Sequence, residues 1–295
     1  MSQTVKLAVG SLVVGLLVLA LKTLAWAMTG SIALLSDAME STVNVVAAIV
    51  ALIAVRVAAI PADANHPYGH HKAEFLSAVL EGAMIIVAAL LILREATLGF
   101  LDPRPLVAPV EGLLVNGAAG VVNAVWCWVL ITRGRKLRSP ALVADGRHLL
   151  SDVVSSVGVT IGVLAAISSG WLWLDPALAA LVAVNVLWSG WRVMSSSVSG
   201  LMDESVSDDV LARVREVISL EAVGAVEAHD LRTRHAGRVT FIDFHLVVTG
   251  ATTVAAAHDI CDRIEAALHR EVPDSRISIH VEPEHKAKHN GIVVL

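Results

Sequence analysis

The sequence predicts an α-helical membrane domain of six transmembrane helices followed by a small α+β domain. Three observations carry that expectation. The chain has 295 residues, 56% hydrophobic and 17% charged, with a mean hydropathy of +0.70, far too apolar for a soluble domain of this length. The excess is uneven: it lies in residues 1–200, whereas residues 203–295 have the composition of an ordinary soluble domain. Turn signals then divide the apolar part into six runs, each at or above the ~20 residues needed to cross a bilayer.

The first run, residues 5–27, follows Lys6 and superficially suggests a signal peptide, but it is longer than the apolar core of a signal and shows no small-residue cleavage site. It reads as a retained membrane helix. The second helix covers 31–58, after the Thr29-Gly30 turn, and a polar loop runs from Pro61 to Lys72. The third helix, 74–98, ends at Asp102-Pro103-Arg104-Pro105, and the fourth covers 109–132. Arg133, Arg135, Lys136 and Arg138 form a basic loop before the fifth helix, 141–168; Ser168-Ser169-Gly170 separates it from the sixth, 174–200. The basic residues cluster in loops two and four, so the positive-inside rule places those loops, both termini and the C-terminal domain in the cytoplasm. A multi-pass protein of a bacterial inner membrane, embedded in lipid, is expected.

The remainder reads as helix 207–219, strands 226–234 and 239–248 around His235-Ala236-Gly237-Arg238, helix 252–271 and strand 275–282. That αββαβ order predicts a ferredoxin-like sheet with both helices on one face. The expected domains are 1–203 in the membrane, 204–283 in the cytoplasm, and a flexible tail 284–295 that carries His285 and His289. Net charge is −5 with no basic run, which argues against nucleic acid as a partner. Cys127 and Cys261 fall in different domains, form no metal or disulfide motif, and read as small buried hydrophobes.

The chemistry is concentrated in two stretches of the apolar part. Asp37, Glu40 and Asn44 in the second helix, and Asp145, His148 and Asp152 in the fifth, stand at offsets of 0, 3 and 7. On a helix that spacing makes a single stripe. Ionisable groups in a bilayer are costly and mark substrate or ion pathways. If the two antiparallel helices touch, Glu40, Asn44, His148 and Asp152 converge as two carboxylates, an imidazole and an amide oxygen. That donor set suits a divalent cation of the zinc, iron, cobalt or manganese type. A divalent ion balances the two carboxylates; without it protons are the available relief, so metal and protons compete for the same groups. Asp37 and Asp145 extend the stripes as possible outer and inner relays; alternatively Asp145 pairs with Arg147 or the Arg138 region and caps its helix. Glu81, also intramembrane, is left without a role. In the polar loop, Asp63, His66 and His70 place one carboxylate and two imidazoles on a short segment, a credible zinc set.

These residues resemble the cation diffusion facilitators, six-helix metal/proton antiporters with a cytoplasmic metal-binding domain. The resemblance rests on Glu40 and Asn44, on His148-x-x-x-Asp152, on the loop Pro61-Ala62-Asp63-Ala64-Asn65-His66-Pro67-Tyr68-Gly69-His70-His71-Lys72-Ala73-Glu74, and on Ala228-His229-Asp230-Leu231-Arg232-Thr233-Arg234. It spans residues 5–283. It implies a transport site at Glu40, Asn44, His148 and Asp152, an interhelical metal site at Asp63, His66 and His70, and a two-metal site at the contact of a homodimer. The last would use His229, His245, His258, His280 and a bridging Glu282; His280 and Glu282, two apart on a strand, face one side. It also implies a charge lock between Lys72 and Asp203. One departure stands out: zinc-transporting members usually present two aspartates where this chain has Glu40 and Asn44.

The function expected is therefore efflux of divalent transition metals, zinc first and iron, cobalt or manganese behind it, in exchange for protons. A non-transporting metal sensor would leave the intramembrane acids unexplained. An intramembrane metalloenzyme would need an open metal position and a general base, and His-Glu-x-x-His is absent.

Overall fold

The computed structural model describes residues 3–102, 109–137, 139–289 and 291–294. The chain divides into two compact units, Met1–Val198 and Ser199–Leu295. The expected helix break at Pro103-Arg104-Pro105 and the basic residue Arg138 lie outside the described residues.

The helices are α1 (Gln3–Thr29), α2 (Ile32–Ala58), α3 (Ala73–Leu101), α4 (Pro109–Lys136), α5 (Pro140–Ser169) and α6 (Leu174–Leu201), and all six are long and apolar enough to cross a membrane. Their ends follow local chemistry. The Ser31 and Ser139 side chains accept the backbone N–H groups of Leu34 and Leu142 at the starts of α2 and α5. Gly170 ends α5 in the left-handed region at φ 70°, which favours glycine. One expectation needs correcting: Arg133, Arg135 and Lys136 are not a loop but the end of α4. Cations are favoured beside the exposed carbonyls of a helix C-terminus, so the basic cluster continues the helix.

α2 packs against α1, α3 and α5, while α4 packs against α1 and α5. Asp175, in the first turn of α6, accepts from Ser31 Oγ at 2.5 Å and from Ile32 N at 2.8 Å, pinning the start of α2 to α6. Small residues allow close approach: a Cβ on Gly82 of α3 would lie 2.9 Å from the Gly190 carbonyl oxygen of α6. The core joins Leu34, Ile85, Ile92, Val159, Val163, Ala183 and Val186 from α2, α3, α5 and α6. Trp128, Leu164 and Leu181 point outward, as a lipid-facing surface requires.

The second unit contains α7 (Asp208–Glu221), β1 (Glu227–Ala236), β2 (Val239–Val248), α8 (Val254–Glu271) and β3 (Ser275–Pro283). Beyond these a 3-10 turn, Glu284–Lys286, leads to β4 (Ile292–Val293). The sheet order is β3-β2-β1-β4, with β1 antiparallel to β2 and β4, and β2 parallel to β3. The expected αββαβ order is present, and where a flexible tail was expected the chain adds a fourth strand. Ile242, Phe244, Leu246 and Val248 of β2 share one core with Val214 and Ile218 of α7 and Ile260, Ile264 and Leu268 of α8. Both helices therefore cover one face, and the alternate residues of β2, including His245, point to the other. Between His229 and Arg232 the β1–β2 register shifts, and Asp230 there has φ 52°. This bulge re-aims Asp230 toward the face that carries the histidines.

Candidate metal centres

The deepest cluster lies where α2 meets α5. Glu40, Asn44, His148 and Asp152 are 4%, 9%, 5% and 0% exposed. The Asn44 amide bridges the other helix: its Nδ2 donates to Asp152 Oδ2, and its Oδ1 lies 2.7 Å from His148 Nε2. An amide oxygen only accepts, so Nε2 carries the proton in this arrangement. His148 Nδ1 is 3.8 Å from Asp152 Oδ1. Glu40 Oε2, His148 Nδ1 and Asp152 Oδ1 are buried with no hydrogen-bond partner. Buried polar atoms are normally paired, so these unpaired atoms on three neighbouring side chains are free to meet a cation. Asn44 thus joins His148 and Asp152 across the two helices, and Glu40 lies one turn from Asn44 on α2.

The flanking acids differ from one another. Asp145 accepts from Ser11 Oγ at 2.8 Å, and Ser11 accepts from Trp126 Nε1 at 2.9 Å, so a polar chain links α5, α1 and α4. Arg147 is exposed and is not its partner in that chain. A Cβ on Gly146 would fall 2.8 Å from Ile131 Cγ1, so the glycine lets this part of α5 lie against α4. Asp37 accepts from Lys22 Nζ at 2.5 Å and from Ser156 Oγ at 2.7 Å, with Lys22 wholly buried. Lys22 escaped the sequence reading, although a lone cation in the apolar middle of a membrane helix was the signal. Glu81, left without a role, is buried and within electrostatic reach of His148.

The loop between α2 and α3 forms a second cluster. Asp63 Oδ1 accepts the backbone N–H of His66 at 2.7 Å and of Asn65 at 2.9 Å. These donors, the His66 N–H first, hold the Asp63 carboxyl below its usual range. His66 Nδ1 and His70 Nε2 lie 3.3 and 3.4 Å from the two Asp63 oxygens, so all three residues present ligand atoms to one point.

The third cluster lies on the open face of the sheet. His229 pairs with His245 in register across β1 and β2, and His245 with His280 across β2 and β3. Glu282 reaches all three, at 3.2 Å from His229 Nε2, 3.4 Å from His245 Nδ1 and 3.8 Å from His280 Nε2. His229, Asp230 and His245 form a set of ligand atoms within 4.8 Å of one another. Sequence reasoning passes over Asp230 as a ligand; strict alternation would point it away from His229, and only the bulge brings it round. His258 is placed elsewhere, exposed on α8 with Asp262 Oδ1 at 3.6 Å, since α8 covers the other face of the sheet.

Two carboxylates support this cluster. Glu227 Oε1 accepts from His229 Nδ1 at 2.9 Å, leaving Nε2 to face the cluster. The backbone N–H groups of Lys288 and His289 donate to Glu227 at 2.6 and 3.0 Å. Burial alone would raise the Glu227 carboxyl, but these donors and His229 hold it below the usual range. Lys288 Nζ reaches both Asp230 oxygens at 2.7 and 2.6 Å, and those bonds lower Asp230. A cavity of about 780 Å³ opens beside His229, Asp230 and Lys288.

Comparison with known proteins covers both units. Residues 8–202 match the model of the cation efflux transmembrane domain, and residues 206–284 match that of the cation efflux protein, cytoplasmic domain. The transporter sll1263 of Synechocystis sp. is 44% identical over 94% of this chain and 89% of its own length. The cation-efflux pump FieF of Pectobacterium atrosepticum is 34% identical over 94% of this chain and 91% of its own. A solved chain of CzrB in its zinc form is 43% identical, covering 29% of this chain and 98% of that one at a TM-score of 0.27.

Proposed function

Because this chain belongs to the cation diffusion facilitator family of cation efflux transporters, we propose that it exports divalent transition-metal cations from the cytoplasm in exchange for protons. The observation that carries this reading is the buried meeting of Asn44 with His148 and Asp152, one helical turn from Glu40, with atoms of Glu40, His148 and Asp152 left unpaired. Two carboxylates facing each other in a low-dielectric interior need compensating positive charge. One divalent cation supplies it, and so do two protons, which makes the two cargoes exclusive at one place and couples their opposite movements.

Metal enters by Asp145, one turn from His148, and binds by displacing the bonds that Asn44 makes to His148 and Asp152. Exposure of the site to the opposite side of the membrane then releases metal and admits protons. Zinc is the leading cargo, since an imidazole with carboxylate oxygens suits it; iron, cobalt and manganese share the same chemistry. Asn44 in place of an acid lowers the charge of the site and is the residue that tunes this choice.

The protein works as a homodimer in a bacterial inner membrane, with both termini and the C-terminal domain in the cytoplasm. Metal held by His229, Asp230, His245, His280 and Glu282 tightens the dimer, and His258 joins that site from α8 when two copies meet. Metal at Asp63, His66 and His70 steadies the loop between α2 and α3. By linkage, metal on the cytoplasmic domain favours the conformation that binds it best.

The test is metal flux and metal-driven proton flux in proteoliposomes. Glu40→Ala and Asp152→Ala should each abolish both; undiminished flux in the two variants would refute the site.

A further inference from the structure

We propose that Lys22 is a tethered counter-cation that sets how much charge the transport site offers its cargo. This rests on the metal-site reading above and goes beyond it. Lys22 is 0% exposed in α1, and its ammonium lies 2.5 Å from Asp37 Oδ1 in α2. Ser156 Oγ of α5 donates to the same oxygen at 2.7 Å. Asp37 stands three residues before Glu40, and Ser156 four after Asp152, so this cluster lies one helical turn from the transport site on both of its helices. The ammonium is also within electrostatic reach of Asp152 and Glu40.

The consequence is a matter of charge. Asp37, Glu40 and Asp152 together would carry three negative charges in a water-poor interior, one more than a divalent ion balances. Lys22 cancels the charge of Asp37 and leaves two. The pairing also makes Asp37 a poor stopping point for a travelling cation, because a tethered one already occupies it. Asp37 is thus a partner of Lys22 here rather than a relay.

The two single substitutions should move cargo affinity in opposite directions, which a merely structural ion pair would not do. Lys22→Met leaves an additional negative charge one turn from the site, so KM for Zn²⁺ should fall by about tenfold and kcat should fall with it as release slows. Asp37→Asn leaves an unbalanced ammonium, so KM should rise by about tenfold. Lys22→Met with Asp37→Asn restores neutrality and should return KM to within about threefold of wild type. If Lys22→Met does not assemble, Lys22→Gln, which keeps a hydrogen bond to Asp37 without the charge, carries the same expected fall.

The measurements are Zn²⁺ transport kinetics per folded protein in proteoliposomes and Zn²⁺ binding to the full chain in detergent. KM values that stay at wild type, or shift the same way in both singles, overturn the proposal and leave Lys22 as a fold-stabilising pair. Asp152→Asn runs beside them. Loss of transport there with unmoved KM in the Lys22 and Asp37 variants defeats this inference alone. Retained transport in Asp152→Asn defeats the site reading itself.

Discussion

The membrane cluster and the sheet cluster use similar donors and hold them in opposite ways. In the membrane, the contacting residues are more than a hundred positions apart in sequence and come from two helices. Glu40, His148 and Asp152 each keep a buried oxygen or nitrogen without a partner, and the Asn44 amide bridges to His148 and Asp152 across the helices. On the sheet, the donors sit in register on neighbouring strands. His229 is steadied from behind by Glu227, which the chain at Lys288 and His289 steadies in turn. Ligands supported from behind bind a metal more tightly. Ligands bonded mainly to one another can exchange those bonds for a cation and then take them back. On the function proposed above, the contrast separates a place of passage from a place of residence.

The sharpest way to break that contrast is to damage one cluster and read both. His148→Ala should lower metal flux by about a hundredfold or more, since it removes a ligand and leaves buried carboxylates without their partner, while metal binding by the C-terminal domain stays intact. His245→Ala should do the reverse, weakening binding by the C-terminal domain on the order of 10–100-fold with a much smaller loss of flux. Flux assays and calorimetry on the same full-length preparations decide it. Equal loss of flux in the two variants would erase the distinction.

A smaller effect tests what the amide contributes. Asn44→Asp adds a carboxylate and removes the N–H bond to Asp152. Metal-resolved transport should shift toward zinc relative to iron, cobalt and manganese, because the added carboxylate approaches the donor set usual for zinc transporters in this family. An unchanged order of metals would mean that Asn44 only packs. Smaller again is Glu227→Gln, expected to cost about tenfold in metal affinity at the sheet with no change in flux.

Much of this was legible in sequence, for identifiable reasons. Hydropathy fixes long helices, so all six spans were placed to within a few residues, apart from the end of α4, where basic residues read as loop but continue the helix. Helical periodicity puts Glu40 with Asn44 and His148 with Asp152, and strand alternation puts His280 beside Glu282. What stayed hidden depends on three-dimensional neighbours. Lys22 gains meaning only when α1 lies against α2 and brings it to Asp37. Asp230 joins the sheet cluster through a bulge that breaks the alternation of β1. The support of Glu227 comes from residues some sixty positions later, in a segment whose polar composition suggested no structure.

That late segment yields the smallest effect. The Glu227 and Asp230 carboxyls are both held below their usual range, Glu227 by backbone N–H groups and His229 against the opposing effect of burial, and Asp230 chiefly by Lys288. A carboxyl whose value is lowered by folding adds stability that is present above its unfolded value, about 4.3 for Glu and 3.9 for Asp, and fades as pH falls through the lowered one. In the metal-free protein, the attachment of Lys288 and His289 should therefore hold at neutral pH and loosen below about pH 4. Hydrogen exchange at those two amides, corrected for the intrinsic effect of pH, should show protection falling severalfold across that window while β2 stays protected. Lys288→Met should remove the part carried by Asp230 and leave that of Glu227, so its pH response should be shallower than wild type. Protection that is flat through acid pH in both proteins would mean that the strand pairing of β4, and not these carboxylates, holds the segment to the sheet.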